Sequence, residues 1–518
     1  MKNKIKLFST LGVLALGVSG LFSCGARRTP TDVDVELPDD DPTSEVTITF
    51  WHCLGHDKTN NLQIIVDRFN EEYDGKYYLN LVKLDGDYDS LHDTVRTKLA
   101  AGEVPALCMG YPDSFAEYIG DDINYSSILR LDSFIEDIEY GFTQEELNDF
   151  IDAYLEEGQH YQFEGTWSLP MYKSTEIMYY NECYFAGDNA QNIAHFSEAN
   201  VGKELHDQFA ALQNAVYSAG SKATPEQLTA LREFSKANDG YTYDVPTYWD
   251  DMIELGRQMN ADRAKEGITG QFVPIGYDSD ANLYISQFAQ RGIAYTRNDE
   301  EANEDTRLHY AFNNTEAREF VTKVTDLIRE HVLMTQGSTG KYTNEYFTAN
   351  QAAMVIGSTG GSSYNVSSNF KVGLSQVPYY PGEDGTQAPK YIMQGPSICF
   401  FNNNNNYIHK GAWLFYKMLS DTDYNTSLAL ENSYDPVRES CYQTEQYENW
   451  IALADRDLIY AIPKATLPLH DYYMTSDVFV GSSNARDEIG ELTSYIIRQN
   501  MTVEQAFSTA YNACISVN

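Results

Sequence analysis

The chain has 518 residues, 42% hydrophobic and 22% charged, which is enough apolar material for two or three packed domains. Seventy-six acidic residues against 36 basic ones leave a net charge of −40. That balance excludes a nucleic-acid binder, whose phosphate partner demands a basic surface, and fits a protein that stays dispersed in water.

The chain opens with three lysines in MKNKIK and the apolar run LFSTLGVLALGVSGLF. This pattern predicts a signal peptide over residues 1–23, with an apolar stretch too short for a comfortable membrane span. The segment Leu21-Phe22-Ser23-Cys24 resembles a bacterial lipobox and predicts a lipidated Cys24. The protein is then expected on the extracellular face of the cell membrane, held by its lipid anchor. Residues 24–45 are acidic and Pro-containing, which predicts a disordered tether.

A folded body is predicted from residue 46. VTITFW (46–51) is β-branched and apolar and reads as a buried strand. Leu62, Ile65, Val66, Phe69 and Tyr73 follow at helical spacing. YYLNLVKL (77–84) is a second strand. A second helix follows, with Asp89 as its expected N-cap and Gly102 at its close. PALCMGY (105–111) is a third strand. This alternation implies a parallel sheet covered on both faces, with ligands bound beyond the carboxyl ends of the strands. GTWSLPMYKSTEIMYYN (165–181) reads as a strand, a break marked by Pro170, and another strand. Residues from about 186 to 240 are polar and helical, and VPTYWDDMIELGRQMN opens another helix. NEYFTANQAAMVIGSTGG runs from helix to strand to a Gly-rich loop, FKVGLSQVPYYP and PSICFF are strands, and the last 85 or so residues are mainly helical.

No catalytic pattern is present: there is no H-E-x-x-H, no G-x-S-x-G and no P-loop. DGDYDS (85–90) starts like a calcium loop but has Ser90 where Gly is required. The six cysteines beyond Cys24 lack C-x-x-C spacing, so they predict small buried hydrophobes rather than zinc ligands. No cofactor and no metal are expected. The informative excess is aromatic: 39 Tyr, 24 Phe and 5 Trp. Aromatic faces stack on the C–H faces of sugars and polyols, and Tyr hydroxyls bond to their hydroxyls. The candidates are those at strand ends or in Gly/Ser loops: Trp51, Tyr88, Tyr111, Tyr172, Tyr364 and Tyr434.

In their order and spacing, TITFWH, KLAAGEVPAL, GTWSLPMYKSTEIMYYN, VPTYWDDM, NQAAMVIGST and SYDPVRES resemble the extracellular solute-binding proteins of bacterial ABC importers, the maltose-binding-like group. The resemblance covers residues 46–518 apart from the stretch at about 186–240, which reads as a helical insertion. It implies an α/β, two-lobed, type II periplasmic-binding-protein-like fold, each lobe a central sheet flanked by helices and joined by a hinge. Lobe 1 is expected from 46–170 plus 393–432, and lobe 2 from 171–392 plus 433–518. GTWSLPMYKSTEIMYYN is then the first crossover, with Ser174 and Thr175 facing the cleft and Tyr179 and Tyr180 packing in lobe 2. The implied function is capture of a solute by hinge closure and its delivery to permease subunits, by a monomer that catalyses no reaction.

Within the family, FWH, GDYDS, YKSTEIMYYN, GSTGG, MQGPS, SYDPVRES and LADRDLI are similar to segments of the members that bind glycerol phosphate. Carried over by position, the ligand contacts are Tyr88, Ser174, Gly395, Tyr434 and Arg456. Trp51 and Trp249 are further candidates, Trp249 matching a Trp frequent in the family. Tyr111-Pro112-Asp113 stands where those members have Tyr-Glu, which shifts the acid to Asp113, and Gly360 lies in a GSTGG loop that replaces a Ser-rich one. The implied ligand is a sugar, an oligosaccharide, a glycerol phosphate or a glycerophosphodiester. Lys173, Arg438 and Arg456 are the cations near these loops. Arg pairs with phosphate through two parallel hydrogen bonds, which makes Arg456 the expected anion clamp. Two alternatives stay open on the residues alone: a secreted carbohydrate-active enzyme, and a solute-binding lipoprotein that serves a sensor.

Overall fold

A computed structural model describes residues 32–517; the expected signal peptide and Cys24 lie outside the described residues. The β-branched run at Val46 forms strand β1 (Val46–His52), which pairs in parallel with β2 (Tyr77–Lys83) on one side and β3 (Leu107–Gly110) on the other. The helix His56–Glu72 crosses between the first two and buries Leu62, Ile65, Val66 and Phe69, the side chains spaced three and four apart. The helix Tyr88–Ala100 crosses between the next two. Its N-cap is Asp87 rather than the expected Asp89, because the Asp87 carboxylate accepts the Ser90 N–H at 3.0 Å and the Ser90 hydroxyl at 2.7 Å. Two antiparallel neighbours complete the first sheet: β4 (Leu169–Pro170) and β11 (Ser397–Phe400), in the order β2-β1-β3-β11-β4.

The second sheet is built around β5 (Ser174–Asn181), whose side chains are almost all buried. One edge of β5 pairs antiparallel with β8 (Met354–Ser358), and beyond it lie β6 (Ile275–Tyr277) and β7 (Leu333–Thr335), both parallel to β8. The other edge takes β10 (Tyr391–Gln394) near its start and β9 (Val372–Ser375) near its end. A short β12 (Tyr473–Met474) joins β10. Each sheet has its own apolar core, so the molecule is a two-lobed α/β protein. Helices fill most of 182–237, including Lys203–Ala219 and Pro225–Ala237, and Tyr179, Phe196, Phe209 and Leu231 pack into a satellite core of lobe 2. The six described cysteines are free, five of them buried. No helix among the described residues is long and apolar enough to cross a membrane.

Two expected boundaries are corrected. Residues 433–451 belong to lobe 1: Val437, Cys441 and Tyr447 lie in its core, and Phe150 bridges to Arg438. The third crossing therefore falls later, between about 452 and 474, with Ile462 already in the lobe 2 core. The second half of the expected tether is also ordered on lobe 1. In DVDVELP the apolar residues alternate, and Val33 and Leu37 are buried. Arg130 holds the Asp34 carboxylate with two hydrogen bonds, at 2.7 and 2.5 Å, and Lys410 donates to the carbonyls of Pro38 and Asp40.

Candidate functional site

The carboxyl ends of β1, β2 and β3 open toward lobe 2, and a helix starts just beyond each. These helices begin at His56, Tyr88 and Pro112 and direct their positive ends into the gap. Tyr88 opens its helix and Tyr111 is the N-cap of the next, so their rings meet with centres 4.5 Å apart. Tyr172, just past β4, packs at 4.3 Å from Tyr434. Tyr88 and Tyr434 are linked through their hydroxyls, and burial raises both pKa values, Tyr434 to about 12. The four tyrosines form one wall on lobe 1. The Tyr172 hydroxyl is fully buried and has no hydrogen-bond partner among the described residues.

Lobe 2 meets this wall at the turn Thr359–Asn365. A Cβ on Gly360 would lie 3.0 Å from the Tyr434 ring, so glycine permits the approach. The ammonium of Lys58 sits 4.4 Å from the centre of the same ring. Burial lowers its pKa to about 8, and it makes no ion pair among the described residues.

A cavity continues from Tyr111 toward the hinge, lined on lobe 1 by Asp113 and Glu157 and on lobe 2 by Tyr295, Gln394, Ser476 and Arg486. Burial raises the Asp113 pKa, and the charge of Arg486 opposes that shift. Arg486, on the helix Ser482–Thr493, donates to Asn282 Oδ1 at 2.5 Å and has no ion pair among the described residues. Asn282 in turn donates to Glu176, whose pKa burial raises to about 7. An acceptor on lobe 1 and a donor on lobe 2 thus border the same space. Asp89 of lobe 1 and Asp280, Asp487 and Glu491 of lobe 2 line a second cavity, which Arg486 also borders. Burial, with Asp89 and Asp113 nearby, raises Asp487 to about 6. No cluster of His, Cys, Asp or Glu among the described residues is arranged to hold a metal ion.

Of the residues expected from the sequence, Tyr88, Tyr111, Asp113, Gly360 and Tyr434 come together here. Ser174 and Gly395 lie at the crossovers instead. Ser174 is buried and its backbone is in register with Gln394 across the hinge, and the Thr175 hydroxyl donates to the Ile392 carbonyl at 2.8 Å. Gly395 has φ +95°, and a Cβ there would lie 2.8 Å from the Tyr172 carbonyl. Trp51 packs in the lobe 1 core with Lys98 over its ring, and Trp249 starts the helix Trp249–Lys265 inside the lobe 2 core. Tyr364 is exposed on lobe 2.

The three expected cations are placed elsewhere. Lys173 is fully buried and ion-paired with Glu157, and the Ser397 hydroxyl bonds to both at 2.8 Å. Arg438 donates to the carbonyls of Ser420 and Glu146 and lies over the Phe150 ring. Arg456 is exposed in the turn after the helix Glu445–Ile451. Lys58 and Arg486 were missed. Lys58 had a signal, since it follows the end of a strand by six residues. Arg486, in NARDEIG, looks like any surface helix residue.

Residues 65–455 match the family described as bacterial extracellular solute-binding protein. Among curated proteins the chain is similar to the sn-glycerol-3-phosphate-binding periplasmic protein UgpB of Brucella abortus, 26% identical over 202 residues, or 38% of this chain and 43% of that one. The chain thus spans less than half the length of the curated relatives it matches. Among solved structures it is similar to UgpB from Mycobacterium tuberculosis in complex with glycerophosphocholine, with a TM-score of 0.61 and 15% identity over 91% of this chain and 98% of that one. The cyclic alpha-maltosyl-1,6-maltose binding protein from Arthrobacter globiformis gives 0.60 and 16% over 91% and 99%. At these identities the two structures establish a shared fold.

Proposed function

Because the chain belongs to the bacterial extracellular solute-binding proteins, we propose that it captures a small hydroxylated solute between its lobes and delivers it to the permease of an ABC importer. The solute is a carbohydrate or a glycerol-phosphate compound. The observation that carries this reading is the wall of Tyr88, Tyr111, Tyr172 and Tyr434 facing the Gly360 turn. Such faces stack on the C–H groups of a sugar ring or glycerol backbone, and their hydroxyls exchange hydrogen bonds with those of the solute. Asp113 accepts from lobe 1 and Arg486 donates from lobe 2, so neighbouring ligand hydroxyls would tie the lobes together and favour the closed form. The names of the relatives support both solute classes: glycerol phosphate and its diester on one side, maltosaccharides on the other. All are named as binding proteins, and this reading requires no catalytic group. The protein acts as a monomer, with residues 1–23 removed and Cys24 lipidated; Cys24→Ala releasing it into the medium is the check on anchoring.

The test is a thermal-shift series on the chain from residue 25, with mono- and oligosaccharides, sn-glycerol 3-phosphate and glycerophosphodiesters. A ligand at 100 times its Kd adds about 2.7 kcal/mol to stability. A shift with one of these classes, abolished by Tyr434→Ala, is the expected result. A series in which no sugar or glycerol compound shifts the melt refutes the reading.

A further inference from the structure

Lys58 stands in the first turn of the helix His56–Glu72, six residues past the end of β1 at His52. Its ammonium lies on the face of Tyr434, inside the tyrosine wall, and no carboxylate among the described residues pairs with it. A half-buried cation on an aromatic face, with no counter-carboxylate, is left free to pair with an anion. The three other candidate cations differ: Lys173 has Glu157, Arg438 has backbone carbonyls, and Arg456 stays in water.

Two independent observations point to what compensates Lys58. The Tyr172 hydroxyl is fully buried, on a ring packed against Tyr434, and has no partner among the described residues, so the wall that carries Lys58 also carries an unused hydrogen-bonding group. The helix that carries Lys58 has Gly55 at its N-cap and no side-chain cap, which leaves its first N–H groups without a side-chain acceptor. A tyrosine face with an ammonium already on it repels a second cation. Unpaired ammonium, orphan hydroxyl and uncapped amides are all served by one kind of group, an anion with several acceptor oxygens.

We propose that Lys58 is the specificity-determining residue of the cleft, pairing with a phosphate ester group of the solute at the tyrosine wall. The inference rests on the interlobe cleft being the solute site, and it narrows the solute to those bearing a phosphate mono- or diester. Lys58 thereby takes the role expected of Arg456.

The experiment is isothermal titration of the mature chain and of Lys58→Met and Lys58→Arg with matched probes: sn-glycerol 3-phosphate against glycerol, glucose 6-phosphate against glucose, and glycerophosphocholine as the diester. The native protein is expected to bind at least one phosphate-bearing probe roughly tenfold or more tighter than its neutral counterpart. Lys58→Met keeps the stem on Tyr434 and is expected to lose at least roughly tenfold on that probe, with its unliganded melting temperature unchanged or higher. Lys58→Arg keeps the charge and is expected to stay within about threefold. A neutral probe bound as tightly as its phosphate, or full phosphate affinity in Lys58→Met, overturns the role of Lys58 and leaves the cleft reading standing. Binding of none of the probes overturns the phosphate proposal and leaves the cleft reading to the wider saccharide series.

Discussion

Lys173→Met is expected to damage stability, although the sequence offers Lys173 as a ligand cation. Lys173 lies on the first crossover, at 0% exposure, paired with Glu157, with Ser397 from the second crossover bonded to both. Burial lowers its pKa, and the Glu157 charge opposes that shift. Removing the ammonium strands the Glu157 carboxylate in the hinge, a loss of about 3–5 kcal/mol. Glu157→Leu alone strands the ammonium and is expected to cost about the same. The double variant removes both charges and leaves the Ser397 hydroxyl and the Gly395 carbonyl short of partners, about 1–3 kcal/mol. The coupling between the two sites is therefore several kcal/mol. Urea unfolding followed by circular dichroism, with the solute titrated separately into each folded variant, measures it. A Lys173→Met cost below about 1 kcal/mol, or a double variant as unstable as the sum of the singles, would refute the reasoning.

Two further outcomes follow from the geometry. Gly360→Val adds a branched side chain where even a Cβ lies 3.0 Å from the Tyr434 ring. Overpacking there holds the lobes apart, so affinity is expected to fall roughly tenfold or more with little change in the unliganded melt; small-angle scattering with saturating solute would then show a larger radius of gyration than for the native protein. Asp435, whose backbone bridges Lys173 across the hinge, has a buried carboxyl raised from 3.8 to about 7, against the opposing hydrogen bonds from Thr466 and Tyr473. Between about pH 4 and pH 7 the folded state holds a proton that the unfolded state has lost. Stability from this group therefore falls as pH rises through that window, by about 1.4 kcal/mol per unit, and levels off above it. Asp435→Asn is expected to be more stable than the native protein at pH 8 and no more stable at pH 4; equal urea midpoints at pH 8 would count against the shift.

Local features of the sequence were sufficient for the strands. VTITFW, YYLNLVKL and PALCMGY carry their strand character in side chains that are buried wherever they go, and the intervening 3.6-residue pattern specifies the helices. Tyr88 and Tyr111 were legible for a related reason. A tyrosine at the mouth of a parallel sheet has one direction to face, whatever the rest of the chain does. The strap at 32–41 was legible too, in the alternation of Val33, Val35 and Leu37, but the surrounding acids masked it. The acids are exposed or paired with Arg130 and Lys410, which lie about a hundred and nearly four hundred residues away.

Only the tertiary structure decided which charges are available. Lys173 and Lys58 each follow a strand within a few residues and look equivalent in sequence. One is neutralised by Glu157, sixteen residues earlier, and braced by Ser397, two hundred and twenty-four residues later. The other meets a tyrosine face from residue 434 and pairs with no acid among the described residues. Whether a cation is free depends on which carboxylates reach within about 4 Å, and that distance is set by how two sheets close around a hinge. The same closure places Asp113 and Arg486 on one cavity and leaves Arg456 outside it. Residue type fixes what a side chain can do; the partners the fold brings to it fix what it is free to do.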